Sequence, residues 1–250
     1  MIKLNLVSQP TALTPALIAQ LTQEFINTGK TVWKGNGIEA ALLDMSDNKC
    51  CYCECRIDEE SKYLEVEHFQ HKDKYKDLVL DWSNLLPSCK RCNTTKGAHD
   101  VISEPIINPS SQNPQEHLYF RAYRIRPKTT LGDKTIEVIN LNHRTRLVTP
   151  RFNIGDQLID KLENLLELSI DYDNGKSHHT RRKNIITNTM EALLEEAIPS
   201  SIYAATTAAT ILLNDDSYQQ TKAIFEKHHL WTAEFQDLEK LARSCALDLK

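Results

Sequence analysis

Two Cys-x-x-Cys pairs constrain this chain more than any other feature of its sequence. The pairs are Cys50/Cys53 and Cys89/Cys92, and 35 residues (54–88) separate them. Together they supply the four soft ligands of a closed tetrahedral zinc site. A small unit with few apolar residues gains much of its folding free energy from such a metal. The spacing therefore predicts a structural Zn²⁺ that holds this segment together.

The distribution of cysteines favours metal binding over disulfide bonds. Six of the seven cysteines lie between residues 50 and 92, whereas a secreted disulfide framework usually has an even number. The N-terminus lacks the features of a signal peptide, and no segment is apolar enough to span a bilayer, so we expect the reducing cytoplasm and no membrane. Cys51 and Cys55 form an alternative pair. The tighter Cys50/Cys53 spacing matches the second pair and is preferred.

A second set of ligands lies between the cysteine pairs. Glu67-His68 follows a segment that alternates like a strand. His68 suits a general base because its ordinary pKa lies near neutrality, and Glu67 can coordinate Mg²⁺ or Mn²⁺ through oxygen. Neighbouring side chains in a regular strand point to opposite faces. A shared site therefore requires that the strand end or bulge at this pair.

Two asparagines and a lysine extend this pattern. Asn84 follows Trp82 in a loop, where its amide can hold backbone groups and orient the base. Asn93 directly follows a zinc ligand, so the zinc would position its amide oxygen to complete the catalytic metal shell. Lys96 lies three residues further on the same helical face, and we expect it to reach the scissile phosphate. Any one of these asparagines alone is most often a turn residue.

The charge of the chain is low overall but unevenly distributed. A net charge of −4 is not typical of a free-standing nucleic-acid-binding protein. From His117 to Arg151, however, there are eight Lys/Arg against two Asp/Glu. We assign nucleic-acid contacts in this stretch to Arg121, Arg124 and Arg126. The low charge indicates a nuclease that relies on a partner to capture its substrate.

The elements expected along the chain fall into three segments. Residues 1–48 predict a short opening strand and two helices, the first beginning at Thr14-Pro15. Residues 49–150 hold the cysteine module, in the order strand, loop, short strand and helix, followed by two strands near Tyr123–Arg126 and Thr135–Asn140. Residues 151–250 predict helices almost to the end, over about 158–170, 180–198, 200–213, 216–228 and 232–248.

The order His68…Asn84…Asn93 inside four cysteines resembles the HNH, or ββα-metal, endonucleases, in the variant that ends on Asn. This resemblance implies that His68 is the general base, that Asn84 supports the motif loop, and that Glu67 and Asn93 bind one divalent metal. The fold class expected is α+β: a zinc-stapled ββα-metal module with N-terminal helices and a mainly α-helical C-terminal region. Many HNH motifs have Pro where this chain has Gln70, which leaves open the strand exit and the role of His71.

Longer stretches are similar to the PtuB family, the HNH subunit of Septu anti-phage systems, which is also found beside retrons. These stretches are residues 49–54, 66–69, 82–89, 104–109 and 136–142. The resemblance implies a partner, the SMC/ABC-like ATPase PtuA, and in a retron setting a reverse transcriptase and its DNA product. We expect the C-terminal or the N-terminal helices to dock the ATPase.

Three functional interpretations follow from these patterns. The leading one is a metal-dependent endonuclease, with DNA as the default substrate because HNH chemistry does not require a 2′-hydroxyl. The second is an effector that cleaves RNA such as tRNA. The third is a non-catalytic zinc module that binds nucleic acid or protein, which would explain the cysteines but not Glu67, His68 and Asn93.

Overall fold

The computed structural model describes residues 1–4, 6–59 and 62–250, and these form two compact units. Unit 1 comprises Met1–His117 and Pro127–Leu141, and unit 2 comprises Leu118–Arg126 and Asn142–Lys250. Residues 1–48, which the sequence separates as a helical segment, therefore share a unit with the cysteine module. No helix in the described ranges is both long and apolar enough to cross a membrane.

Unit 1 begins with two helices, α1 (Pro15–Thr28) and α2 (Ile38–Met45). Thr14 caps α1 by accepting a hydrogen bond from Leu17 N at 3.3 Å, which confirms the predicted start. The expected opening strand is wrong, since the described residues contain no strand before Asp58. The N–H of Leu4 donates instead to Pro109 O at 2.8 Å. Pro109 does not belong to a strand, so this contact does not extend into a sheet.

The centre of unit 1 is the predicted ββα arrangement. Strands β1 (Asp58–Glu59), β2 (Lys62–His68) and β3 (Leu85–Cys89) form an antiparallel sheet in that order. Helix α3 (Lys90–Lys96) follows β3 without a loop and packs on β2 and β3, as does α2. Gly97 ends α3 with a φ of 51°, which agrees with its predicted role as the C-cap. The order strand, loop, short strand and helix is confirmed.

The segment predicted as a strand at Thr135–Asn140 is a helix, α4 (Thr130–Ile139). Its isoleucines and valine favour strands in isolation. The N-cap is Thr129, whose Oγ1 accepts from Gly132 N at 3.2 Å, and the buried residues include Thr135 and Ile139. A spacing of four places these two side chains on one helical face. Burial against the rest of unit 1 therefore overrides the local strand preference.

Unit 2 combines a small sheet with a helical bundle. Strands β4 (Leu118–Arg121), β5 (Arg124–Pro127) and β6 (Asp248–Leu249) are ordered β5-β4-β6. The strand expected near Tyr123–Arg126 is confirmed as β5, whereas β4 was not predicted. The mainly helical C-terminal region is also confirmed; its helices are α5 (Thr149–Asp173), α6 (Thr180–Glu195), α7 (Ala209–Asn214), α8 (Asp216–Lys227) and α9 (Ala233–Cys245), with π-helical turns at Arg144–Val148 and Ala204–Ala208.

Gly155 on α5 lies in a tightly packed part of unit 2. A Cβ at this position would lie 2.6 Å from both Ile211 Cδ1 and Tyr123 Cε1. We expect Gly155→Ala to lower the free energy of unfolding by about 1–3 kcal/mol, because overpacking displaces both neighbours. Urea unfolding measures this change. The control is Gly175→Ala, because Gly175 has open space around it but a positive φ, so this variant reports backbone strain without crowding. An unchanged midpoint for Gly155→Ala would contradict the packing argument.

Candidate active site and zinc cluster

The four predicted zinc ligands lie together. The Sγ atoms of Cys50, Cys53, Cys89 and Cys92 all lie within 4.8 Å of one another. The Sγ atoms of Cys53 and Cys89 are 3.7 Å apart, close to the edge of about 3.8 Å expected for a tetrahedron with Zn–S bonds of about 2.3 Å. Four thiolates at these separations fit a Zn²⁺ ion. The alternative ligands Cys51 and Cys55 lie outside this set.

Neighbouring groups support the sulfur atoms. The N–H of Cys92 approaches Cys89 Sγ at 3.4 Å, because Cys89 is also the N-cap of α3. Arg91 Nη2 donates to Cys92 Sγ at 3.0 Å. Arg91 Nη1 donates to the carbonyl oxygens of Ile139 and Asn140. These contacts stabilise negative charge on the cluster and link the C-terminal end of α4 to it.

The strand β2 ends at the Glu67-His68 pair. His68 is the last residue of β2 and stands opposite Leu85 in β3, while Glu67 stands opposite Leu86. Both side chains are nearly fully buried, yet both line one pocket of about 240 Å³. Because the strand ends at this pair, the two neighbouring side chains do not have to point to opposite faces of the sheet. Both can therefore line the same pocket, which a shared site requires.

His68 is held by two surrounding groups. Its Nε2 lies 3.0 Å from Val79 O, so Nε2 carries the proton and Nδ1 keeps its lone pair. The Trp33 ring contacts the imidazole edge-on at 4.7 Å between centroids. Burial lowers the pKa of His68 to about 4, although the bond to Val79 O opposes that change. The ring is therefore neutral near pH 7, which is the state that can accept a proton.

Asn84 closes the loop that follows His68. Its Oδ1 accepts from Gln70 N at 2.7 Å, and its Nδ2 donates to the carbonyl oxygens of Gln70 and Leu78, both at 3.1 Å. Its own carbonyl oxygen accepts from Phe69 N at 2.9 Å. A proline at position 70 would have no N–H to donate. Gln70 therefore suits this loop, and Asn84 occupies the supporting position assigned to it.

Glu67 forms a buried ion pair with Lys96. Lys96 Nζ lies 2.6 Å from Glu67 Oε1 and donates to His68 O at 3.0 Å. Burial raises the pKa of Glu67 to about 7, and the Lys96 charge limits that rise. The side chain of Lys96 has no exposed surface. The sequence predicts that Lys96 reaches the scissile phosphate, but the structure places its ammonium inward, on the carboxylate and the backbone of the Glu67-His68 pair.

Asn93 and a polar loop complete the pocket. Asn93 follows Cys92 on α3, so the cysteine cluster positions it beside Glu67 and His68 as predicted. Sequence reasoning did not assign His71, Lys72 and Asp73 to the site, although a dense run of polar residues directly after a strand end is a usable signal. The Nδ1 of His71 is buried without a hydrogen-bond partner in the part of the chain described. The pocket lining is Glu67, His68, His71, Lys72, Asp73, Asn93, Gly97 and Ala98.

The three predicted nucleic-acid-binding arginines belong to unit 2. Arg121 ends β4, and Arg124 and Arg126 lie on β5. Ile125 between them is buried, while Arg121 and Arg126 are exposed and Arg124 is partly exposed. The strand alternation thus places Arg124 and Arg126 on the face that is not buried. Their role in binding stays a prediction.

The ion pair predicts the effect of removing Lys96. We expect Lys96→Met to lower the free energy of unfolding by about 3–5 kcal/mol, because it leaves the carboxylate of Glu67 buried without its counter-charge. The double variant Glu67→Gln/Lys96→Met removes both charges and is expected to recover much of this loss. Urea unfolding of the zinc-loaded protein in magnesium-free buffer measures both variants. If Lys96→Met and the double variant have equal stability, the two charges are not coupled.

Comparisons with known proteins agree with this geometry. A family model described as HNH endonuclease matches residues 50–99, the segment that holds both the cysteine cluster and the pocket residues. The chain is 47% identical over 220 residues to the Septu protein PtuB of Bacillus thuringiensis, across 88% of this chain and 85% of that protein. It is 29% identical over 168 residues to the Septu protein PtuB of Bacillus mycoides (strain KBAB4), across 54% of this chain and 56% of that protein. The family match favours the endonuclease interpretation over a zinc-binding module without catalytic function, and the chain belongs to the PtuB family of HNH endonucleases.

Proposed function

We propose that this chain hydrolyses phosphodiester bonds of nucleic acid in a metal-dependent reaction, as the nuclease of an anti-phage complex with a PtuA-like ATPase. The observation that carries the proposal is the convergence of Glu67, His68 and Asn93 on one pocket. These residues offer a carboxylate, a neutral imidazole and an amide oxygen, which are the groups that metal-assisted hydrolysis needs.

His68 acts as the general base. Because Nε2 is bonded to Val79 O, Nδ1 is the atom that accepts a proton from the attacking water. Trp33 and the loop closed by Asn84 restrict the ring to one orientation. The proton transfer therefore needs little rearrangement of the protein.

Glu67 and Asn93 would hold the catalytic cation. The two side-chain contacts of Glu67 that the structure describes, with Lys96 and Tyr52, both use Oε1, and neither uses Oε2. A site with one carboxylate and one amide oxygen suits Mg²⁺ or Mn²⁺, because Mg²⁺ usually keeps several waters and takes further ligands from substrate phosphates. When bound, such a cation neutralises charge on the leaving oxygen. Lys96 keeps the Glu67 carboxylate in place.

The default substrate is DNA, and RNA such as tRNA is the second candidate. Nothing in the pocket requires a 2′-hydroxyl, and the groups in it recognise a phosphate and a water rather than a base. Arg121, Arg124 and Arg126 are proposed to contact the phosphate backbone. The net charge of −4 already includes these arginines, and the stretch from His117 to Arg151 that contains them is locally basic.

The test is cleavage by the purified protein together with its ATPase partner. Plasmid DNA and tRNA are incubated with Mg²⁺ or Mn²⁺, after dialysis that removes these ions but keeps the zinc. We expect cleavage of at least one substrate, dependent on the added ion, with about one zinc retained per chain. Zinc-loaded protein that cuts neither substrate with either ion, with and without the partner, would contradict the proposal.

The partner is proposed to bind helices outside the pocket, either α1 and α2 or those of α5–α9. The support is that these helices contribute no residue to the pocket. Hydrogen exchange of the full chain with and without the ATPase tests this, and slower exchange in one of the two groups is the expected result. Unchanged exchange in both groups would refute it. In a retron setting, the same complex should also contain the reverse transcriptase and its DNA product.

A further inference from the structure

The pocket lining includes a lysine that the catalytic roles do not use. Lys72 lines the pocket together with Glu67, His68 and Asn93. Its Nζ lies 5.4 Å from the centroid of the Trp33 ring, and the same ring contacts His68. Trp33 thus fixes both the general base and the position of this ammonium.

The charges near the pocket distinguish Lys72 from the lysines around it. Lys96 is paired with Glu67 at 2.6 Å, and Lys74 is paired with Asp100 at 2.5 Å. Within the described ranges, Lys72 has no ion pair with a carboxylate. Asp73 is the other acidic side chain in the lining, and it does not lie within ion-pair distance of Lys72. Lys72 is therefore the lysine of the pocket whose charge is left for an external anion.

Lys72 also acts electrostatically on the two central residues. Burial is the largest influence on the pKa of both Glu67 and His68, and the positive charge of Lys72 lowers both. Lys72 lines the same pocket as Glu67 and His68, so a phosphate bound there would lie near its ammonium. The interaction with Trp33 leaves all three N–H donors of the ammonium available for phosphate oxygens.

We propose that Lys72, rather than Lys96, is the catalytic lysine that contacts a non-bridging oxygen of the substrate phosphate in this pocket. The inference rests on the proposed function, because it assumes a nucleic-acid substrate. A fixed ammonium at this place stabilises the negative charge that develops on the phosphate during attack by water. It also neutralises one phosphate when the substrate binds.

The test compares Lys72→Met with Lys74→Met in the full chain with its partner. Methionine keeps an apolar side chain to pack on Trp33 and removes only the charge. Lys74 is two residues away, is exposed and lies outside the pocket lining, so it is a matched control. We expect Lys72→Met to lower kcat/KM for nucleic-acid cleavage by about 10²-fold or more. We expect Lys74→Met to change it by less than about threefold, and Lys72→Arg to recover part of the activity.

Binding without cleavage provides a second readout. In a His68→Ala background, fluorescence anisotropy with a labelled DNA duplex gives the affinity at several salt concentrations. Losing one phosphate contact should reduce the slope of log K against log salt by about 0.9 for Lys72→Met, and not for Lys74→Met. Equal zinc content and equal thermal unfolding of the two variants exclude a folding defect; if Lys72→Met fails that check, Lys72→Gln replaces it.

Different results would refute the proposed function and the role of Lys72. If the wild-type protein cleaves neither DNA nor RNA, the proposed function is wrong. If it cleaves a substrate but Lys72→Met and Lys74→Met have the same kcat/KM and the same salt slope, the function stands and the assignment of Lys72 is overturned.

Discussion

His68→Ala is expected to lower the rate of nucleic-acid cleavage by about 10²–10⁴-fold while zinc content stays unchanged. In the proposed mechanism the imidazole supplies the proton acceptor, and Val79 O and the Trp33 ring hold it in place. The measurement is the single-turnover cleavage rate with a divalent ion at saturating protein, which separates chemistry from binding.

The control for His68→Ala must separate chemistry from packing, since the His68 ring is buried. His68→Gln retains a polar side chain that can still donate to Val79 O but cannot act as a base near neutral pH. We expect the same loss of rate in both variants, with the same thermal unfolding midpoint for His68→Gln as for the wild-type protein. His99→Ala, which changes a histidine outside the pocket lining, should keep full activity. Cleavage by a folded His68 variant at the wild-type rate would refute the mechanism.

Loss of one cluster cysteine is expected to remove the zinc and unfold the ββα region. Cys92→Ala deletes a ligand that is also buried in α3. Structural zinc contributes about 10–16 kcal/mol of apparent binding free energy in small zinc-binding peptides, which is as large as the total stability of a typical domain. We therefore expect a zinc content near zero and loss of cooperative unfolding for unit 1. Metal analysis and circular dichroism measure these effects.

Cys51→Ala and Cys55→Ala are the matched controls for the zinc cluster. Both cysteines lie close in sequence to Cys50 and Cys53. Neither belongs to the group of four sulfur atoms that lie within 4.8 Å of one another. We expect both variants to keep about one zinc per chain, because all four cysteines of the cluster remain. Zinc loss in Cys55→Ala, together with zinc retention in Cys92→Ala, would show that a different set of cysteines binds the metal.

Much of the fold could be predicted because the signals are local. Thr14-Pro15 and Gly97 mark the ends of helices through their own backbone preferences, and the structure confirms both. The helix α4 could not be predicted in this way. Its residues have strand preference, and only the burial of Thr135 and Ile139 on one face makes the helix the better solution. The short parallel pairing of Tyr119 with Asp248 joins distant parts of the chain, which no local pattern can indicate.

The sequence by itself determined the chemistry of the site. The identity and spacing of the four cysteines predict zinc, and Glu67-His68 with Asn93 predicts a site for a hard divalent cation, because ligand softness is a property of the residue type. The tertiary structure alone decided which lysine lines the pocket. Lys96 and Lys72 are equally charged in the sequence, but one is buried against Glu67 and the other lines the pocket. The free energy of a charge depends on its burial and its partners, and both arise only where the strand end, the loop and α3 meet.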